Sequence, residues 1–354
     1  MGYDFNIDLK EILLKEDNIF RYLEDYNTIY CDSGRTCNKL LTSGLRGKEL
    51  LVPAFSSVSV LRGFPQGVKL VFYAVNRDFT IDFDDLLKKI TSDTGGIYIT
   101  NYFGRRTTPE DAEIILKLKK NYRLTIIEDN TQSIFSGEPK VGDYCMSSIR
   151  KWFPVPDGGV IYSKKDLSFI DISDMQKGSR QNDKLYPQML KTLFLDGSVD
   201  VTTKKIADMF ASVEKELDEY TDKNEMYLMS DFTRFVFSCY EIKIMIEKRR
   251  ENEKYLRTLI DSPFLKMAIP KREEDECPFN LPMYCTKRDK MWKYLVDNFN
   301  IYPSVLWRTH LYDEVNKIGP TKQMGEQIIS FPVDQRYTKE DMRFMAEAIN
   351  GFKG

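Results

Sequence analysis

The chain of 354 residues contains a single histidine, His310, in "LWRTHLY". Zinc sites built on paired histidines are excluded, and a Ser-His-Asp triad would have to rest on that one residue. Proton transfer in this chain therefore falls to lysine, carboxylate or tyrosine. Paired cysteine motifs are missing as well: Cys31, Cys37, Cys145, Cys239, Cys277 and Cys285 form no CxxC. Their scatter predicts reduced thiols used as small apolar groups, as in a cytoplasmic protein. Positive charge is not in excess, since 52 Lys and Arg face 54 Asp and Glu for a net charge of −2, which argues against a nucleic-acid partner. No apolar run approaches the roughly 18 residues of a membrane span, so no membrane partner is expected. The opening "MGYDFNIDLKEILLKED" lacks the basic start and apolar centre of a secretory signal, and Gly2 is not followed by a myristoylation pattern. Internal repeats and low-complexity stretches are also absent.

What remains is a chain with 42% hydrophobic and 30% charged residues, enough to bury a large core. Two domains are expected, a large α/β domain over residues 1–235 and a smaller α+β domain over 236–354. Between about residues 28 and 165, apolar runs alternate with helical patterns. "ELLVPAF", "VKLVFYAV", "GIYITNYF", "LTIIEDN" and "GGVIYS" read as strands, with "SGRTCNKLLTSGL" and "TPEDAEIILKLKKNY" as helices between them. Strands that are apolar throughout, separated by helices, predict a mostly parallel sheet covered on both faces. Ligands of such sheets bind at the carboxyl ends of the strands. Further on, "IADMFASVEKELDEY" carries Ile206, Phe210, Val213, Leu217 and Tyr220 at helical spacing, ending in the polar break "TDKNE". One long helix is predicted through "FTRFVFSCYEIKIMIEKRRENEKYLRTLI", with "EKRRENEK" as its solvated face. Thr338 and Asp341 in "YTKEDMRFMAEAIN" suit a capping box.

Three short segments carry chemistry. In "TIIEDNTQS" an apolar strand delivers Glu128 and Asp129 at its end; taken alone, Asp129 reads as a helix cap. In "SSIRKWFPVPDGGVIYS", Lys151 stands between Ser147–Ser148 and Gly158–Gly159. In "CDSGRTCNKLL", Ser33, Gly34 and Arg35 lead into a helix whose free N–H groups and dipole attract a phosphate. This is not a Walker A loop, for the lysine and second glycine are missing. A lysine amine can condense with an aldehyde, and a buried carboxylate can keep a pyridinium nitrogen protonated. Amine, carboxylate and phosphate cradle together are the usual protein contributions to pyridoxal phosphate chemistry.

The same segments resemble the DegT-type family of pyridoxal-phosphate sugar aminotransferases, which have the aspartate aminotransferase fold (fold type I). "SGRTCNKLL" is similar to the family's phosphate-loop helix, "IIEDNTQS" to its Glu-Asp-x-x-Gln motif, and "RKWFPVPDGG" to its Schiff-base lysine segment. The resemblance implies that Lys151 bonds the cofactor's aldehyde, Asp129 pairs with the pyridine nitrogen, and Gln132 lies near the phenolic oxygen. Gly34, Arg35 and Thr36 would face the phosphate, with Ser147 or Ser148 beside them. It further implies a homodimer with a shared active site, an amino donor such as glutamate, and a keto-sugar acceptor, nucleotide-linked, of the kind used in polysaccharide biosynthesis. The sequence departs from the family in three places. Met146 stands where the phosphate serine is usual, and Ser57 where an aromatic usually stacks on the ring. "YLMSDFTRF" replaces the Asn-x-Arg segment that a partner subunit supplies. "FPVDQRY" is a candidate for the substrate side. Two alternatives to aminotransfer stay open: another cofactor-linked sugar reaction such as dehydration, whose enzymes in the family replace the lysine, and a non-catalytic or regulatory protein on this scaffold.

Overall fold

A computed structural model of the chain describes residues 14–138, 141–178, 183–202, 205–206, 208–213, 215, 225–307 and 314–354. Residues 1–13, residues 207, 214 and 216–220 of the helix expected over 206–220, most of the break after it, and His310 lie outside the described residues. Ten strands form two sheets among the described residues. They are β1 (Asn27–Cys31), β2 (Glu49–Pro53), β3 (Lys69–Tyr73), β4 (Thr94–Thr100), β5 (Thr125–Asp129), β6 (Tyr144–Ser147) and β7 (Gly159–Ser163), followed by β8 (Leu265–Met267), β9 (Leu281–Cys285) and β10 (Ile328–Phe331).

The large sheet has the order β1-β7-β6-β5-β4-β2-β3. Strands β2 to β6 run parallel, and β7 runs against both β6 and β1. This is the mostly parallel α/β architecture expected of fold type I. Its strands read as unbroken apolar runs because both faces are covered. On β5, Ile126 and Ile127 are fully buried and point to opposite faces, as the two-residue period of a strand requires. Ile126 joins Ile115 and Leu118 of helix Pro109–Tyr122. Ile127 joins Cys37, Leu40 and Leu41 of helix Gly34–Thr42. Burying such a side chain contributes about 1.5–3 kcal/mol, so each helix is held to the sheet chiefly by these stripes.

Strands β8, β9 and β10 make a small antiparallel sheet in the order β10-β9-β8. Its core packs Leu281, Met283, Ile329 and Phe331 against Leu256, Met342, Met345 and Ile349 of two helices, Ile242–Leu259 and Lys339–Asn350. The predicted capping box is present, with Thr338 and Asp341 each accepting the other's backbone N–H.

Several local expectations change. Strands β1 and β6 were not legible as strands, and the single long helix is two, Asp231–Ser238 and Ile242–Leu259. The second begins where Asp17 accepts the N–H groups of Ile242 and Lys243, a cap supplied from more than two hundred residues away. Its charged stretch is not wholly solvated: Arg249, Asn252 and Glu253 are buried. The division expected at 235/236 falls inside helix Asp231–Ser238. There Val236 and Phe237 pack with Trp152, Phe153 and Val160 on the large-sheet side.

Candidate active site

Parallel strands end at one edge, and the sequence places its polar residues there. The register sets Asp129, last residue of β5, between Thr100 of β4 and Met146 of β6. On β7, Gly159 faces Cys31 at the end of β1, and its neighbour Val160 faces Ser147 at the end of β6. The chain leaves β1 through Asp32 and Ser33 into helix Gly34–Thr42. It leaves β6 through Ser148 into the tight turn Ile149–Trp152, which contains Lys151. Three segments remote in sequence thus meet at one rim.

Hydrogen bonds lock them together. Ser148 donates its backbone N–H to the Thr131 hydroxyl (3.0 Å), and Gly158 donates its own to the Asp32 carbonyl (2.6 Å). The lysine turn closes through Lys151 N–H to the Ser148 carbonyl and Arg150 N–H to the Gly158 carbonyl, both 3.1 Å. Glycine is required at two contacts. A Cβ at Gly159 would sit 2.6 Å from the Ser33 carbonyl, and one at Gly34 would sit 3.0 Å from Ser148 Cβ. Gly158 adds a φ of +125°, a region that disfavours other residues. The Gly-Gly pair therefore brings the helix start against the lysine strand.

Trp152, next to the lysine, is fully buried. Its indole N–H donates to the Thr131 carbonyl (2.8 Å), its carbonyl accepts from Gln335 (3.0 Å), and the Arg249 guanidinium lies 4.3 Å from its ring centroid. "FPVDQRY" thus braces the lysine turn from behind, and none of its residues is among those lining the pocket. Asp157 performs a related task. It accepts from Ser230 N–H and Ser230 Oγ, both 2.8 Å, and from the Thr233 hydroxyl, anchoring the start of helix Asp231–Ser238.

A pocket open to solvent lies at this rim. Of the expected site residues, Gly34, Arg35, Ser57, Asp129, Gln132, Ser148 and Lys151 line it. Thr36 and Ser147 do not. The Thr36 hydroxyl is turned away to donate to Asp32 (2.5 Å), and Ser147 is fully buried with its hydroxyl unsatisfied. Geometry thus brings Ser148, rather than Ser147, into the cavity. Ser57 lines the cavity but spends its hydroxyl capping helix Val58–Leu61. The aromatic among the lining residues is Trp307, which packs against Phe55 and Tyr102. Sequence reading also passed over Asn38, Thr100, Thr131 and Arg150. Asn38, Thr131 and Arg150 stood within the three segments already singled out, beside residues with a sharper chemical use.

The paired carboxylates separate by strand alternation. Glu128 turns inward, accepting the N–H groups of Val141 (2.8 Å) and Gly142 (2.9 Å). Asp129 is 3% exposed, lines the cavity and accepts the Thr131 N–H (2.9 Å). Gln132 accepts the Phe103 N–H (2.7 Å) through Oε1, which aims its amide nitrogen as the free donor. Burial pushes the Tyr98 hydroxyl well above its ordinary range, so it stays a donor, here to Asn38 Oδ1 (3.1 Å). Burial likewise pushes Asp32 up to about 6, opposed by its bond from Thr36. All six cysteines are free and buried.

These residues fit pyridoxal phosphate. A lysine and a carboxylate share one cavity with a capped helix start, and at Gly34 the helix approaches Ser148 more closely than a side chain would allow. Comparison with known proteins agrees. The sequence profile of the DegT/DnrJ/EryC1/StrS aminotransferase family matches residues 11–148, ending just before the lysine turn. No curated protein matches the sequence. The fold is similar to that of PseC from Helicobacter pylori, an aminotransferase involved in the biosynthesis of pseudoaminic acid (TM-score 0.65, 14% identity, covering 98% of this chain and 97% of that one). It is similar also to the sugar aminotransferase CalS13 from Micromonospora echinospora (TM-score 0.60, 15% identity, 92% and 87% covered). A third similar structure is NtdA from Bacillus subtilis, solved with bound cofactor PMP (TM-score 0.62, 16% identity, 94% and 74% covered). Over residues 11–148 the sequence thus matches the DegT/DnrJ/EryC1/StrS aminotransferase family, and over nearly its whole length the fold is similar to that of the aminotransferase structures named above.

Proposed function

We propose that the protein transfers an amino group from a donor such as glutamate to the keto group of a sugar, nucleotide-linked, with Lys151 as the catalytic amine. The observation that carries this reading is the convergence of Lys151, Asp129 and the Ser33–Arg35 helix start on one pocket. Pyridoxal phosphate supplies an electron sink there for charge developing on a carbon next to an imine.

The residues divide the remaining work. Lys151 Nζ would hold the cofactor covalently through its aldehyde carbon and, as a free amine, would accept a proton from the substrate carbon and return it. A positioned acid–base group of this kind contributes about 10²–10⁴ in rate. Asp129, buried at the end of β5, holds a proton on the pyridine nitrogen by charge-assisted hydrogen bonding. The Gln132 amide donates toward the phenolic oxygen. The N-terminus of helix Gly34–Thr42, with Arg35 and the Ser148 hydroxyl, receives the phosphate. Trp307 is the aromatic available to cover the ring. The reading includes a homodimer whose partner completes the sugar side, acting in the cytoplasm; no helix among the described residues is long and apolar enough to cross a membrane.

The test is spectroscopic. Cofactor-loaded protein should lose its visible absorbance on addition of glutamate and regain it when a keto-sugar nucleotide is supplied. Absorbance that glutamate leaves unchanged, with no other amino donor able to bleach it, overturns aminotransfer.

A further inference from the structure

The charged residues lining the pocket are Arg35, Asp129, Arg150 and Lys151. Lysine and carboxylate have their tasks at the aldehyde and the ring nitrogen, so two guanidinium groups remain. Arg35 opens the helix at the phosphate end and has contacts of its own. Arg150 differs from it. Its backbone N–H is used in the lysine turn; the residue lines the cavity, and its guanidinium makes no hydrogen bond or ion pair to any described residue. An unpaired guanidinium facing a pocket is a standing invitation to an anion, since its five donors form a rigid fork suited to phosphate and carboxylate.

We infer that Arg150 is a second cationic clamp on the cofactor's phosphate, supplied by this chain itself. The placement rests on two consecutive hydrogen bonds. Arg150 N–H reaches the Gly158 carbonyl (3.1 Å), and Gly158 N–H reaches the Asp32 carbonyl (2.6 Å), one residue before the helix cap Ser33. The arginine is therefore tied to the phosphate end of the pocket. It also stands two residues after Ser148, which touches the helix at Gly34. Charge balance supports the same assignment. A phosphate monoester carries about −1.5 to −2 charges, whereas one arginine and a helix N-terminus supply about +1.5. The carboxylates of Asp32 and Asp157 lie buried behind this end and oppose an anion, which raises the need for a second cation. The sequence at 225–235 lacks the Asn-x-Arg segment that the resemblance leads one to expect from a partner subunit. Arg150 makes the phosphate contact without it.

This inference rests on the cofactor reading above, and the experiment separates the two. Protein stripped of cofactor, as wild type, Arg150→Gln and Arg150→Lys, is titrated with pyridoxal phosphate and with pyridoxal, which lacks the phosphate. Arg150→Gln should weaken pyridoxal phosphate binding by about ten- to hundredfold, the range for a lost hydrogen bond to a charged group, and leave pyridoxal binding unchanged. Arg150→Lys should recover part of the loss, because the charge returns without the fork. Equal weakening of both ligands would show a general disturbance and overturn the clamp. So would unchanged pyridoxal phosphate affinity accompanied by a raised KM for the amino donor, which would assign Arg150 to the substrate carboxylate. Wild type that binds neither compound would overturn the cofactor reading itself.

Discussion

The seven-stranded sheet and the three-stranded sheet serve the same lysine in opposite ways. The first offers chemistry directly: the ends of β1, β4, β5 and β6 deliver Ser33, Thr100, Asp129 and Ser148 to the pocket. No strand residue of the second sheet lines it. The C-terminal part instead holds Trp152 in place through Gln335 and Arg249. Arg249 donates to Gln335 (2.8 Å) and to the Pro278 and Phe279 carbonyls (3.3 and 3.0 Å). The first region supplies the polar groups of the pocket; the second fixes the geometry of the lysine turn and adds one lining side chain, Trp307. Reactivity and rigidity are thus encoded in different stretches of the chain.

Substitutions on the two sides should therefore separate activity from stability. The largest effect is expected at Lys151. Lys151→Ala should abolish turnover, a loss of at least about 10²–10⁴, together with the cofactor's visible absorbance. The thermal midpoint of the cofactor-free protein should not move. Arg249→Met, on the bracing side, should behave in reverse. It leaves two buried carbonyls and Gln335 without their donor, and unfolding in urea should show a loss of about 2–4 kcal/mol. At low temperature the folded fraction should still bind the cofactor. If that variant keeps full stability but loses the cofactor, the proposed division of tasks fails.

A subtler effect lies beneath the helix start. Asp32 is buried with a pKa pushed up to about 6 from 3.8, so the folded state favours its protonated form. Its contribution to stability is full below about pH 3.8 and is lost as pH rises through about 6. Asp32→Asn keeps an acceptor for Thr36 and removes the ionisation. In the cofactor-free protein it should add about 1–3 kcal/mol above pH 6.5, with the gain shrinking as pH falls toward 4. Denaturation across that pH range checks the sign; a constant difference at every pH would contradict it. The smallest effect belongs far from the pocket, at the capping box of helix Lys339–Asn350. Thr338→Ala should cost about 1 kcal/mol and leave cofactor affinity untouched.

The legibility of the sequence follows the same division. Strands β2, β3, β4, β5 and β7 stand out because burial on both faces leaves continuous apolar runs. Strand β1, "NTIYC", begins in polar residues at the sheet edge, and β6, "YCMS", has only four residues. Neither produces a run long enough to see. The break at Cys239–Glu241 is hidden because no glycine or proline marks it and the helical period continues across. Its cause, Asp17, is a tertiary contact. In the pocket, Asp129, Lys151 and the helix start were legible because each residue type has a narrow chemical use in its place. Arg249 and Gln335 were not. Arg249 reads as solvated helix face and Gln335 as part of a candidate substrate segment, and only packing against Trp152 gives them their task. The preference for Ser148 over Ser147 likewise depends on which hydroxyl strand alternation turns to the cavity.

The central claim is that the cofactor is bound covalently at Lys151, and borohydride reduction followed by peptide mapping tests it most directly. Cofactor-loaded protein, reduced and digested, should carry its label on the peptide containing "SSIRKWFPVPDGG" and on no other. A label on a different lysine, or none at saturating pyridoxal phosphate, would contradict the account.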